Sequence, residues 1–481
     1  MQDYRFKNEP YAHQAAYLSR FWEDRESALF ADMGTGKSYM LINNMCMLYD
    51  NGKINGALIV APKGVYRNWA ELELQKHIPD HVEWSVGVWS TPMNKRAQAA
   101  IMDLFTVDDK LHILMMNVES LSQMKGKALQ LAERFLLSHT ALMAVDESTT
   151  IKNPQANRTK QITKVGTRAA YRRILTGSPV TKSPLDLYAQ CGFLNHELLG
   201  FSSYYAFQMR YAVTARRAFG AREFNQVVGY RRLDELNDKL KPFAFRVTKE
   251  ECIDLPPKVY TRRDVDLTDE QARLYKEMKR LALAEVEGGV TTTTTALTQI
   301  LRLHQICCGH LKTDDGEIRE IPNNRIKSMM EALEEINGKV IIWANYTHDI
   351  HAIYKALSEE YGGGSAATYH GETHVEDRQK IVNKFQDPGS ELRFFIGQPK
   401  TGGYGLTLTE AQTVIYYSNN YDLEVRLQSE DRAHRIGQKS SVLYIDLMSP
   451  GTIDEKIVSA LRDKINIATL VLGEDIKKWL I

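Results

Sequence analysis

Short, strand-like apolar runs recur along this chain, each separated from the next by a segment of helical spacing. That alternation constrains the fold more than any other feature. Between about residues 25 and 180 the runs are "SALFADMG", "GALIVAP", "KLHILMMNV", "ALMAVDES" and "RRILTGSP". Strands met in this rhythm pair in parallel, because a helix must carry the chain back before the next strand can lie beside the last. The rhythm returns as "GKVIIWANY", "SAATYHG", "LRFFIGQ", "QTVIYYSN" and "SSVLYIDLM". The expected fold is α/β, with two parallel-sheet lobes and a mostly helical bridge between them. The expected boundaries are 1–182 for the first lobe, 183–320 for the bridge, and 321–481 for the second lobe with a closing C-terminal helix.

The first strand runs into Asp32-Met33-Gly34-Thr35-Gly36-Lys37-Ser38 and then into an apolar helical pattern. A glycine-rich turn opening a helix presents bare N–H groups and a positive helix end, which suit the phosphates of ATP. Gly34, Thr35 and Gly36 would form the cradle, Lys37 would reach the β- and γ-phosphates, and Ser38 would hold Mg²⁺. Ala31 stands where the G-x-x-x-x-G-K-[ST] pattern has its first glycine. The run "LMAVDEST" delivers Asp146 and Glu147 at the end of a strand, the edge at which parallel sheets bind ligands. Asp146 is then the second Mg²⁺ ligand, and Glu147 is the base that orients and deprotonates the attacking water. Upstream, the amide of Gln14 offers a paired donor and acceptor suited to an adenine edge.

Charge excludes a global attraction to polyanions. The 61 basic and 60 acidic side chains leave a net charge of only +1, so any nucleic acid must be met by local basic surface. Five cysteines without C-x-x-C spacing argue against a disulfide framework and for a reducing compartment. A polar N-terminus and the lack of a long apolar run give the expectation of a soluble, cytoplasmic protein without membrane contact. His304, Cys307, Cys308 and His310 invite a zinc reading, but adjacent cysteines point apart on a helix, so core packing is expected there. The stretch "MRYAVTARRAFGAREFNQVVGYRR", with Arg210, Arg216, Arg217, Arg222, Arg231 and Arg232, reads equally as a grip on a second nucleic-acid strand and as an amphipathic helical face.

The segment "NNYDLEVRLQSEDRAHRIGQKS" resembles the last motif of the Swi/Snf family of DNA-translocating ATPases, a branch of helicase superfamily two. The other motifs follow in family order. "PYAHQ" resembles the adenine-reading Q motif, "ADMGTGKS" motif I, "LIVAPKGVYRNW" motif Ia, "VDEST" motif II and "LTGSP" motif III. "VIIWANYTHDI" is similar to motif IV and "TGGYGLTLTEAQTVIYY" to motif V. The linking segments "LKPFAFRVTKEECIDLPPK", "LRLHQICCGH" and "GTIDEKI" match as well. Related RNA helicases tend to end the last motif in "HRIGR", so Gln438 in "HRIGQ" points to a duplex-DNA motor.

The resemblance implies ATP and Mg²⁺ as cofactors and double-stranded DNA as partner, in a monomer that leaves room for a targeting protein. It implies that Arg432 and Arg435 are arginine fingers brought to the γ-phosphate, that Gln428 assists at the nucleotide, and that Thr176 and Ser178 relay nucleotide state. The implied DNA contacts are Lys63, Arg67, Asn117, Ser120, Lys182, Tyr346, Thr347, Lys400 and Thr401. Two departures stand out. Thr149 replaces the usual histidine of motif II, and Gln398-Pro399 replaces the Ser-Thr pair of motif V, leaving Thr401 as the substitute hydroxyl. The implied function is ATP-driven translocation on duplex DNA. A strand-separating helicase on DNA or RNA is the alternative within enzymes, and an ATP-gated DNA clamp is the alternative outside motors.

Overall fold

The computed structural model describes residues 4–63, 65–123, 126–219, 222–252, 255–287, 293–313, 315–402, 406–435 and 437–472. Gly403, Tyr404 and Gly405 of motif V and Ile436 of the last motif lie outside the described residues. The chain divides into two compact units, the first built mostly from the chain up to residue 252 and the second mostly from residues 255–465.

The strands in chain order are β1 (Glu26–Ala31), β2 (Gly56–Ala61), β3 (Trp84–Val88), β4 (Leu111–Asn117), β5 (Ala141–Asp146), β6 (Tyr171–Thr176), β7 (Ala212–Phe219), β8 (Arg222–Tyr230) and β9 (Ala244–Val247). They continue as β10 (Lys258–Asp264), β11 (His310–Lys312), β12 (Ile318–Glu320), β13 (Lys339–Trp343), β14 (Ala366–Tyr369), β15 (Phe394–Gly397), β16 (Ala411–Tyr416) and β17 (Val442–Met448).

The first unit holds a parallel sheet in the order β3-β4-β2-β5-β6-β1-β9. Its central strands β2 and β5 are almost wholly apolar because helices cover both faces, and the side chains alternate between two cores. Leu58 and Val60 of β2 enter one core with Met143 and Val145 of β5. Ala57, Ile59 and Ala61 enter the other with Leu142 and Ala144. The second unit repeats the scheme with a parallel sheet in the order β10-β17-β16-β13-β15-β14. Val340 and Ile342 of β13 face one core, Ile341 and Trp343 the other. The α/β class with two parallel sheets is therefore as expected from the rhythm of apolar runs.

Residues 183–320, expected as a helical bridge, contribute to both sheets. β9 pairs with β1 at the edge of the first, and β10 pairs with β17 at the edge of the second. The arginine-rich stretch is not an amphipathic helix, which corrects one of its two readings. A helix, Tyr204–Tyr211, ends where β7 begins, and β7 and β8 form a two-stranded ribbon. Val213, Thr214, Val227 and Val228, with Phe219 and Phe224, favour extended backbone, and that preference outweighs the charge pattern. Arg210 pairs with Glu235, and Arg231 donates to the carbonyls of Met209 and Arg210, so both serve the base of the ribbon.

The four residues of the zinc reading are engaged separately. His304 Nδ1 lies 2.8 Å from Tyr346 Oη, and His310 Nδ1 lies 3.0 Å from Asp349. Burial pushes the Cys307 thiol up to about 12, which leaves it a packed thiol. All five cysteines are free. Among the described residues, no helix is long and apolar enough to cross a membrane.

Candidate functional site: a phosphate loop and its switch

Three adjacent strands of the first sheet bring the predicted ATP residues to one edge. In the order β5-β6-β1, Asp146 lies opposite Leu175 and Phe30 opposite Thr176. The phosphate loop after β1, the Asp-Glu pair ending β5 and the loop after β6 therefore emerge together, where parallel sheets place ligands.

The loop turns twice through left-handed backbone, with φ of 85° at Gly34 and 89° at Gly36. Gly36 then leads directly into the helix Lys37–Asp50. A Cβ at Gly36 would lie 2.3 Å from Gln14 Nε2, so both the backbone and the space demand glycine. Gln14 is buried, donates from Nε2 to the Thr35 carbonyl at 3.2 Å, and accepts from the Tyr11 amide at 3.0 Å. Its amide, expected to read adenine, thus ties the helix before β1 to the phosphate loop. His13 reaches the same carbonyl at 2.7 Å. Lys37 Nζ donates to the carbonyls of Ala31 and Asp32 at 2.9 and 3.2 Å, holding its ammonium over the cradle. Gly36→Ala is expected to weaken nucleotide binding about tenfold or more, since left-handed backbone alone costs an L-residue ~1–2 kcal/mol and Gln14 must also move. Titration with a fluorescent nucleotide checks this. Gly52→Ala is the control, since Gly52 has φ of 64° with no atom within 4 Å of a Cβ. Equal affinities in both variants would remove Gly36 from the cradle.

Asp146 accepts from Trp69 Nε1 at 2.9 Å and from the Glu147 amide at 3.0 Å. Burial pushes its carboxyl above the ordinary range, although the Trp69 N–H and the Lys37 ammonium favour the ion. A buried carboxylate with one hydrogen bond to each oxygen still has lone pairs to offer, and a cation would offset its burial. Asp146 fits Mg²⁺ on that ground, and the ion would supply charge neutralisation for a phosphate.

Glu147 sits in left-handed backbone, φ 47° and ψ 61°, uncommon for a residue with a side chain. Such a conformation persists where the surroundings impose it and clusters at working sites. Here Thr176 Oγ1 donates to Glu147 Oε2 at 3.2 Å, and the Ser178 amide donates to Thr176 Oγ1 at 3.2 Å. Glu147, Thr176 and Ser178 are thus joined in a hydrogen-bonded chain, and Thr149, which replaces the usual histidine, is buried. Ser148 is anchored to Gln190, which holds the Pro179 carbonyl.

A tie that no local pattern revealed closes the loop from the other side. Arg246 of β9 donates to Asp32 Oδ1 at 2.8 Å and to the Gly177 carbonyl at 3.3 Å, while the Lys249 amide donates to Asp32 Oδ2 at 3.2 Å. The signal lay in "PFAFRVTKEE", a matched linking segment whose arginine had no assigned partner.

In the second unit the helix Leu423–Glu430 carries Gln428, and Arg432 and Arg435 follow it. A buried ionic network fixes this helix. Arg426 bonds Asp446 and Asn419, and its Nε donates to Glu430 at 2.8 Å, while Lys258 Nζ and Tyr260 Oη reach the other Glu430 oxygen at 3.1 and 2.7 Å. Burial raises the Glu430 carboxyl, but Lys258 and Arg426 outweigh it and hold the group below its ordinary range. The two predicted fingers differ. Arg432 is 2% exposed and donates to the Gln428 and Leu406 carbonyls at 3.0 and 3.2 Å. Arg435 is half-buried and donates to Leu406 O and Thr407 Oγ1 at 3.3 and 3.0 Å. Gln428 donates to Glu424 at 3.4 Å. Gln438, which pointed to duplex DNA in the sequence, is a buried tie. Its amide donates to the Thr409, Ala411 and Ala433 carbonyls and accepts from the Lys439 and Ser440 amides.

The predicted nucleic-acid contacts gather at strand ends of the two sheets. In the first unit, exposed Lys63 and Arg67 follow β2, Asn117 ends β4 with Ser120 after it, and exposed Lys182 follows β6. Arg67 stacks on Tyr66, Asn117 donates to Glu119, and Ser120 donates to the Asn117 carbonyl. In the second unit, Tyr346 and Thr347 follow β13, and Lys400 and Thr401 follow β15. Thr401 Oγ1 donates to Gln398, whose amide reaches the Asn345 carbonyl, so the Gln398-Pro399 departure still organises the strand ends.

A family model described as SNF2-related domain matches residues 13–311, more than half of the chain. The chain belongs to the SNF2-related family. A model of the helicase conserved C-terminal domain matches residues 324–437. This SNF2-related chain is 26% identical over 474 residues to the ISWI chromatin-remodeling complex ATPase CHR11 of Arabidopsis thaliana, covering 95% of this chain and 42% of that one. It is 27% identical over 453 residues to the putative ATP-dependent helicase/translocase YwqA of Bacillus subtilis, covering 91% and 45%. The chain thus spans less than half the length of these relatives. Over its whole length it also matches a solved SWI2/SNF2 ATPase core of Sulfolobus solfataricus in complex with dsDNA, at 24% identity, 96% coverage of that chain and a TM-score of 0.41. An SNF2-related domain is thus followed in this chain by a helicase conserved C-terminal domain.

Proposed function

We propose that this SNF2-related ATPase translocates along double-stranded DNA. The observation that carries the reading is the chain from Glu147 through Thr176 to Ser178, because the same short loop continues to Lys182. A change in what Glu147 holds is transmitted, through one hydroxyl, to a loop bearing a candidate phosphate contact. Asp186 fixes the far end of that loop by accepting from the Thr181 and Lys182 amides at 3.1 and 2.8 Å.

In this reading Lys37 and the loop amides grip ATP, Asp146 and Ser38 hold Mg²⁺, Glu147 activates water, and Arg435 supplies the finger. Arg432 positions Leu406 and Gln428 around it. ATP turnover is expected to rise far more with duplex DNA than with single-stranded DNA or RNA. Affinity is expected to fall as salt rises, with little dependence on base sequence, because phosphate contacts dominate. Turnover measured with the three nucleic acids side by side checks the first, and competition across salt concentrations the second. Displacement of a bound third strand marks a translocase, duplex separation marks a helicase, and neither marks a clamp. Equal stimulation by RNA would overturn the duplex assignment.

A further inference from the structure

The second unit carries a cluster of metal-type donors that the ATPase chemistry does not use. One donor atom from each of His351, His370 and Glu372 lies within 4.8 Å of the other two. His351 stands one turn into the helix Thr347–Tyr361, and His370 and Glu372 stand two residues apart in the turn after β14. The imidazole rings have centroids 5.4 Å apart and planes at 72°.

The turn is built before any ion arrives. The His370 amide donates to Thr373 Oγ1 at 3.0 Å, and Arg378 staples the backbone by donating to the Thr373, His370 and Gly371 carbonyls. His370 is 5% exposed, and its Nδ1 has no hydrogen-bond partner. A buried polar nitrogen left in that state is costly, and coordination by its ring is one way to relieve the cost. Zinc binds imidazole nitrogen and carboxylate oxygen at about 2.0–2.2 Å, which for a tetrahedron means donors roughly 3.4 Å apart. Rotation of the exposed His351 and Glu372 side chains can close the remaining gap.

We propose that His351, His370 and Glu372 bind a zinc-type divalent cation. Two imidazoles and one carboxylate suit zinc, cobalt, nickel or copper and not magnesium, which prefers oxygen donors and keeps its waters. Three protein ligands leave a position for water. The bound ion pins the first turn of the helix, which opens at Tyr346 and Thr347, to the turn after β14, and stiffens this end of the second sheet.

The experiment uses the full chain without a histidine tag, stripped with a chelator and titrated with zinc against a chromophoric chelator. His351→Ala and Glu372→Gln are the variants, both at exposed positions that leave the core intact. One zinc per chain is expected, with affinity at least about tenfold weaker in each variant. Even changes to the outer groups that orient the ligands cost roughly 10–100-fold at such sites. Cobalt should give a visible spectrum of nitrogen and oxygen ligation that disappears in His351→Ala, and excess magnesium should not displace it. Absence of stoichiometric binding, equal affinity in wild type and variants, or a cobalt spectrum with sulfur charge-transfer bands would each overturn the proposal. The last would place the ion on cysteine.

Discussion

Replacing Arg435 by alanine is expected to lower ATP turnover by about three orders of magnitude or more while leaving ATP and DNA affinity nearly unchanged. That is the scale on which arginine fingers act on phosphoryl transfer. The geometry makes the result diagnostic. Arg435 is half-buried and donates to Leu406 O and Thr407 Oγ1 at 3.3 and 3.0 Å, so its effect on stability is read separately from its effect on turnover. Arg432 provides the contrast. It is buried, and Arg432→Ala removes a donor from the Gln428 carbonyl and leaves Leu406 O to Arg435 alone, at a cost of about 1–3 kcal/mol where a buried polar group loses its partner. Arg435→Lys should rescue poorly, because an ammonium cannot reproduce the planar guanidinium fork. Melting temperature, nucleotide affinity and turnover on one preparation separate the outcomes. A fall in melting temperature with normal activity per folded molecule would make Arg435 a structural residue.

Glu147→Gln should give the second large effect, a loss of about 10²–10⁴-fold in turnover with ATP still bound, as expected when a general base is removed. Glutamine keeps a carbonyl oxygen where Glu147 Oε2 accepts from Thr176, so the relay and the fold survive while the basic carboxylate is lost. The left-handed backbone at Glu147, φ 47°, is unchanged by the substitution. Binding of a fluorescent nucleotide by the variant, together with its steady-state turnover in the presence of duplex DNA, measures both halves. Turnover near the wild-type level would assign water activation elsewhere.

Much of this protein was determined within short windows of sequence. A short apolar run between turn residues specifies a buried strand, and glycines at Gly34 and Gly36 followed by Lys37 specify a turn that opens a helix. Those are local preferences, so the parallel sheets, the phosphate loop, and the placement of Asp146 and Glu147 at a strand end were legible from the residues alone. The arginine-rich ribbon was missed because a run of arginines dominated the pattern, whereas Val213, Thr214, Val227 and Val228 set the backbone.

Only the tertiary structure decided which distant groups meet. Trp69 reaches Asp146 across 77 residues, and Arg246 reaches Asp32 across 214, because β9 returns to pair beside β1. The sequence could not rank Arg432 against Arg435, three residues apart in one motif, since their difference is burial against the Leu406 segment. Gln438 likewise entered the sequence reading only by its place in a motif, and its part as a buried tie emerged once its five partners were in view. The physical reason is common to all four. Backbone preference is set by neighbours in the chain, but the partner of a buried polar side chain is set by sheet order and packing, which bring together residues no local pattern connects.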